Sequence, residues 1–240
     1  MKKTLKIGHL YPKLLNIYGD KGNIITLQKR AEWRGFEVEV HEINSGDVWL
    51  GEHDIYFIGG GQDTQQVEVS YELNRHKEFM TSERDRGAVF LGICGGYQLL
   101  GHYYQPHNGD KLMGISLLDA YTVAGNKRFI GNVTIQSNVG QVSPDNNFLV
   151  GFENHSGLTY LQGDTKPIGT VIVGNGNNGV DKTEGARYKN VFGTYMHGSF
   201  LPKNPKFADY LLELALGEKL ESLDDTIEIN AHDSLINKAY

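Results

Sequence analysis

The sequence predicts an α/β fold with a mostly parallel central sheet flanked by helices. Two observations carry this. The first hundred residues alternate short apolar strand-like runs with helix-like stretches, and two of those runs end directly in glycine-rich turns. Beyond residue 105 strand-like pieces follow one another between Gly- and Asn-rich loops, which predicts extra antiparallel strands in the second half.

In order along the chain, Leu5–Leu10 is a short strand and Gly22–Gly35 fits a helix with Ile24, Ile25, Leu27, Ala31 and Trp33 at packing positions. Phe36–His41 alternates apolar and polar residues, as a half-buried strand does. Asp54–Ile58 is a compact apolar strand that stops at Gly59-Gly60-Gly61. A polar helical segment from about Val67 to Arg86 leads to the apolar run Ala88–Leu91. Such strands, separated by helices, build a parallel sheet covered on both faces. Asn108-Gly109 marks a hairpin turn. Strands are expected at Arg128–Gln136, Phe148–Glu153, Ile168–Val173 and Val191–Tyr195, then a helix begun after Pro202 or Pro205 and a helical tail over about 218–240. With no repeat and no linker, residues 1–240 are expected to form a single domain.

Composition excludes several classes. A net charge of −6 lacks the basic face of a general nucleic-acid binder. No apolar run is long enough to cross a bilayer, and the N-terminus from Met1 to Ile7 lacks the apolar stretch of a secretion signal, so a cytoplasmic protein is expected. A single cysteine excludes an intramolecular disulfide and a multi-thiolate metal site; no metal is expected in this chain.

That cysteine has a telling context. In Phe90-Leu91-Gly92-Ile93-Cys94-Gly95-Gly96-Tyr97-Gln98-Leu99-Leu100-Gly101 an apolar strand runs through a glycine-rich turn into a short apolar helix. This is a nucleophile elbow with cysteine in place of serine. Its glycines leave room where side chains would collide with the adjoining strand and helix. A helix N-terminus beside the sulfur favours thiolate, and the Gly95 N–H is a natural oxyanion donor. By itself a lone cysteine at such a junction is a packing residue; the partners change that. Gly59-Gly60-Gly61-Gln62-Asp63 would lie at the same carboxyl edge of a parallel sheet, with bare backbone able to turn N–H groups inward. It lacks the Gly-Lys-Ser/Thr ending of a phosphate loop. Phe192-Gly193-Thr194-Tyr195-Met196-His197-Gly198 ends a strand on a histidine, the side chain suited to taking and giving a proton near neutrality. Nine histidines occur, and His155 in Glu153-Asn154-His155-Ser156-Gly157 is a rival base that spacing does not exclude.

Gly92-Ile93-Cys94-Gly95-Gly96-Tyr97-Gln98 together with Tyr195-Met196-His197-Gly198 resembles the class I (triad-type) glutamine amidotransferases, in the cobyric acid synthase-like branch. Within that branch the likeness is to small free-standing glutaminase subunits that serve lipid II amidation. It takes in Tyr18-Gly19-Asp20-Lys21-Gly22-Asn23, Phe57–Gly61, Arg128, Gly151–His155 and Gly174-Asn175-Gly176-Asn177-Asn178.

The resemblance implies a flavodoxin-like three-layer fold, Cys94 as nucleophile and His197 as general base and acid. It implies an oxyanion hole from Gly60 or Gly61 with Gly95, and substrate binding by Arg128, on the glutamine α-carboxylate, and by Gln98. Many class I enzymes carry a glutamate two residues after the histidine, where this chain has Ser199. The orienter of His197 is therefore open, with Asp20 and Glu153 as candidates. L-glutamine is the implied substrate. A Mur-ligase-like (MurT-like) synthetase is the implied partner in a heterodimer, carrying ATP and Mg while this chain carries no cofactor. The site of action is then cytoplasmic, at the inner membrane surface through the lipid-linked acceptor. A cobyric or cobyrinic acid amidotransferase, an elbow-cysteine hydrolase of the DJ-1/PfpI type and a binding module with a dead dyad are the alternatives.

Overall fold

The computed structural model describes residues 3–16, 20–49, 51–61, 63–139 and 147–237. Met1, Lys2, Tyr18, Gly19, Gln62 and the last three residues of the expected tail lie outside the described residues.

The first half builds β1 (Thr4–Leu10), α1 (Lys21–Glu32), β2 (Glu37–Ile43), β3 (Ile55–Ile58), α2 (Asp63–Arg75), α3 (Lys77–Arg86), β4 (Val89–Ile93) and α4 (Gly95–Leu100). The second half adds β5 (Tyr103–Gln105), β6 (Leu112–Met113), β7 (Ala120–Ser137), β8 (Phe148–Leu161), β9 (Gly169–Val173), β10 (Thr183–Glu184), β11 (Ala186–Tyr188) and β12 (Val191–Thr194). Three helices close the chain: α5 (Phe200–Lys203), α6 (Pro205–Leu216) and α7 (Thr226–Asn237).

β3 and β4 are buried at every residue, as unbroken apolar runs must be to escape water, and they occupy the middle of the sheet. β2 alternates and lies at the edge. The strand order is β11-β12-β4-β3-β1-β2, parallel except for β11. From β1 the chain adds β2 on one side and β3 then β4 on the other. Right-handed crossovers therefore put α1 on one face and α2–α3 on the opposite one, and the carboxyl ends of β1, β3, β4 and β12 share one edge. One apolar cluster, from Leu5 through Phe90 and Ile135 to Leu212, runs continuously beneath both sheets.

Four differences from expectation have local causes. The single helix expected over Val67–Arg86 is two, parted at His76, whose ring stacks on Trp49 at 4.2 Å. The Val191 strand does not join the antiparallel second half; it returns to the first sheet beside β4. The strand expected to end at Glu153 continues to Leu161, paired with β7 across a bulge between Ala124 and Phe129. In the tail, residues 218–225 are not helical and α7 begins at Thr226. The connecting segment is held by a buried ion network. Arg30 of α1 meets Asp209 of α6 at 2.6 Å and Asp225 at 2.7 Å, and Arg34 shares Asp209.

Candidate active site

β4 delivers Cys94 to the carboxyl edge in a strained conformation, φ 51° and ψ −106°, one of few non-glycine residues on the left-handed side. The turn is possible because its neighbours carry no side chain: a β-carbon on Gly96 would overlap the Ile58 carbonyl of β3. The thiol is nearly buried, 9% exposed. No hydrogen bond among the described residues engages the Gly95 N–H.

β12 lies parallel to β4 with Thr194 opposite Ile93, so the chain beyond each strand emerges side by side. Cys94 N–H donates to the Thr194 carbonyl at 2.9 Å, and His197 follows three residues later. An antiparallel bridge to Phe152 of β8 fixes the backbone of His197, with bonds of 3.0 and 3.3 Å. Its ring is buried, and burial lowers its pKa to about 4, helped by the positive Lys203 and Arg128 and opposed by the neighbouring Asn154 backbone. Lys203 in turn donates to the carbonyls of His197 and Gly198. At neutral pH the imidazole is uncharged. His197 also lines a cavity of about 340 Å³ with Val133, Phe152, Lys203 and Leu235. A larger one, about 610 Å³ between α2 and the β5–β6 turn, contains none of the expected site residues.

The other expected residues are distributed as follows. Gly60 abuts Cys94: a β-carbon on it would stand 3.3 Å from that of Cys94. Its N–H, however, donates to Asp20 Oδ2 at 2.6 Å. Gly61 and Gly95 keep theirs out of any hydrogen bond among the described residues. Arg128, on β7 near the bulge, donates from Nε to Asn154 Oδ1 at 2.6 Å, and its two terminal nitrogens make no bond among the described residues. Gln98 is buried on α4; its Nε2 donates to the Tyr195 hydroxyl at 3.2 Å and its Oε1 is without a partner among the described residues. Both carboxylates considered as orienters of His197 are committed elsewhere. Asp20 is taken by Gly60, and Glu153 accepts from the N–H groups of Asn175 and Gly176 at 3.0 Å. The expectation is corrected here: β8 alternation turns Glu153 away from the side that Phe152 presents to His197. His155, the rival base, stacks flush on Tyr195 at 3.6 Å and shares Nδ1 with the Gly157 carbonyl.

A model of the CobB/CobQ-like glutamine amidotransferase domain matches residues 6–205. The chain belongs to that family. Among curated relatives of the amidotransferase, the subunit GatD of lipid II isoglutaminyl synthase (glutamine-hydrolyzing) from Staphylococcus aureus is 42% identical over 98% of this chain and 96% of its own length. Its counterpart from Streptococcus pneumoniae is 40% identical, covering 98% and 88%. A cobyric acid synthase from Thermoanaerobacter is 28% identical over 80% of this chain but only 39% of its own length. Among solved structures, PurLQS from Thermotoga maritima shares the fold with a TM-score of 0.58 at 16% identity, covering 98% of this chain and 100% of that one. A GMP synthase component from Thermoplasma acidophilum does so at 0.54 and 12%, covering 90% and 94%.

The amidotransferase site also holds residues that sequence reading passed over. Glu184 is fully buried under β12, accepting from Thr194 Oγ1 at 2.6 Å and Tyr195 N–H at 2.8 Å, so it pins the turn that carries His197. Burial raises its pKa to about 7 against the pull of those bonds. Gln66 reaches from α2 to the Gly61 carbonyl at 3.2 Å and packs over Gly95. Neither has a sequence signal: an acidic residue in a Gly-rich loop and a glutamine in a polar helix both read as solvent-facing.

Proposed function

We propose that this chain hydrolyses L-glutamine and supplies ammonia to an ATP-dependent, Mur-ligase-like subunit that amidates the D-glutamate of lipid II. The observation that carries the glutaminase half is that a strained Cys94 directly follows β4 while an uncharged His197 follows the neighbouring parallel strand β12 by three residues. The names of relatives matching over nearly the whole chain support the acceptor.

His197 takes the Cys94 proton as the sulfur adds to the amide carbon of glutamine, placing negative charge on the amide oxygen. N–H donors of the Gly59–Gly61 loop and Gly95 receive that charge, each worth about 3 kcal/mol of barrier. The protonated His197 returns its proton to the nitrogen, because NH2⁻ is too basic to leave, and ammonia departs. Water, deprotonated by the same imidazole, then cleaves the glutamyl thioester to glutamate and thiol. The terminal nitrogens of Arg128 offer a fork for the α-carboxylate. The unpartnered Oε1 of Gln98 suits a donor such as the α-ammonium.

Ammonia released into water is protonated and lost as a nucleophile, so the product calls for a docked acceptor. ATP and Mg belong to that partner, and a heterodimer at the cytoplasmic face of the membrane places the pair beside its lipid-linked substrate. Among the described residues no helix is long and apolar enough to cross a membrane. The test is co-purification with the Mur-ligase-like subunit, followed by mass spectrometry of lipid II incubated with ATP, Mg and glutamine. A gain of amide that requires Cys94 supports the proposal. Glutamate release without amidated lipid II in that complex would redirect the acceptor, with cobyric acid as the next to try.

A further inference from the structure

Asp20 occupies the N-cap of α1, where an aspartate ordinarily accepts from the first turn for about 1 kcal/mol, yet it makes no side-chain cap. Its carboxyl turns inward, is fully buried, and receives the Gly60 N–H at 2.6 Å; Oδ1 has no partner among the described residues. Burial raises its pKa to about 7, the Gly60 bond opposing the rise. A group that forgoes its helix for one glycine N–H beside a nucleophile has a task there.

The loop geometry specifies the task. None of Gly59, Gly60 and Gly61 has a positive φ. β-Carbons on Gly59 and Gly61 would both run into Leu15, whereas one on Gly60 would face Cys94. That two-residue alternation means the loop continues β3 in extended form. In such a segment successive N–H groups also alternate between the two neighbouring strands. Gly59 faces the elbow side, since its carbonyl accepts from Gly96 N–H at 3.1 Å. Gly60 faces the β1 side, where Asp20 waits. Gly61, sharing the parity of Gly59, turns its N–H back toward the elbow.

We propose that Asp20 is the positioning residue of the oxyanion hole: by holding the Gly60 N–H on the β1 side it presents the Gly61 N–H, paired with that of Gly95, to the oxygen of the substrate attacked by Cys94. Asp20 acts through Gly60 and never touches substrate. Gln66 braces the same loop from the other side through the Gly61 carbonyl. The inference rests on Cys94 being the glutaminase nucleophile.

The test uses the full chain with Asp20→Ala and Asp20→Asn and two readouts. Glutamine turnover passes through an oxyanion. Alkylation of Cys94 by iodoacetamide displaces iodide directly and needs no oxyanion hole. Asp20→Ala is expected to lower kcat about 10- to 100-fold with KM changed less than about threefold, the signature of a displaced transition-state donor, while the alkylation rate stays within about twofold. Asp20→Asn keeps an oxygen that accepts the Gly60 N–H and is expected to retain more than about a third of kcat. The proposal is overturned by unchanged or raised kcat in Asp20→Ala, by alkylation that slows in step with kcat, or by Asp20→Asn as impaired as Asp20→Ala. The near-isosteric asparagine variant decides alone if the alanine variant does not fold. Failure of the underlying reading is separate: it is glutamine turnover that survives complete alkylation of Cys94 in the unsubstituted chain.

Discussion

The backbone N–H of Cys94 is bonded to the carbonyl of Thr194 at 2.9 Å. Cys94 and His197 are far apart along the chain, yet this single bond sets the two chemical groups on adjoining rails. The proposed nucleophile and base are thereby coupled through main chain, which does not relax as a long side chain would.

Replacing the sulfur tests the centre of the account. Cys94→Ala is expected to lower glutamine hydrolysis by at least about three orders of magnitude, while the thermal unfolding midpoint moves little, because the backbone of the elbow is held by Thr194 and Gly59. Glutamate release measured with each protein decides it; substantial turnover in the variant would end the mechanism.

The base is tested by exchanging two histidines. His197→Ala is expected to cost about 100- to 10,000-fold, and His155→Phe, which keeps a ring against Tyr195, far less. The reverse order would transfer the role to His155. Because burial lowers the His197 pKa to about 4, the acid limb of kcat/KM is expected well below the ordinary histidine value of about 6.5. An acid limb at or above that value would mean burial does not govern this imidazole.

Arg128→Ala is expected to raise KM for glutamine about 10- to 100-fold with a much smaller change in kcat, the loss of a charge-assisted hydrogen bond formed equally in ground and transition states. Arg128→Lys should recover little, lacking the planar fork. Initial rates over a glutamine series distinguish the two parameters.

Glu184 provides a pH signature. Its folded pKa is raised to about 7 from 4.5, so between those values the folded chain binds a proton that the unfolded chain does not. That contribution is fully present below about pH 4.5 and is lost as pH rises through 7. Relative to Glu184→Gln, which carries no such proton, the unsubstituted chain should lose about 3 kcal/mol between pH 4.5 and 8. Urea unfolding of both proteins at pH 5 and pH 8 measures the difference, and parallel pH dependence would show that Glu184 does not titrate this way.

Arg30 is 2% exposed and joined to Asp209 and Asp225. Arg30→Ala leaves Asp209 with Arg34 alone and Asp225 with Lys206 alone, and is expected to cost at least about 2 kcal/mol of stability. A loss under about 1 kcal/mol in denaturant unfolding would place that network outside the cooperative core.

The sequence by itself determined whatever depends on neighbours along the chain. Short apolar runs marked β1, β3 and β4, the last two ending in glycine-rich turns, and Gly92-Ile93-Cys94-Gly95-Gly96 declared a sharp turn because only bare backbone passes Ile58 so closely. The candidates Cys94 and His197 and the glycine loop stood out for that reason. Only the tertiary structure decided which distant groups those elements meet. The return of β12 to the side of β4 singled out His197, and the parity of Gly59–Gly61 gave Asp20 to Gly60 rather than to the imidazole. Glu153 was drawn to Asn175 and Gly176, and Glu184 was sealed beneath Thr194. Local steric demand is written in consecutive residues; strand order and the destination of a buried carboxyl arise from burial across the whole chain, which no window of sequence contains.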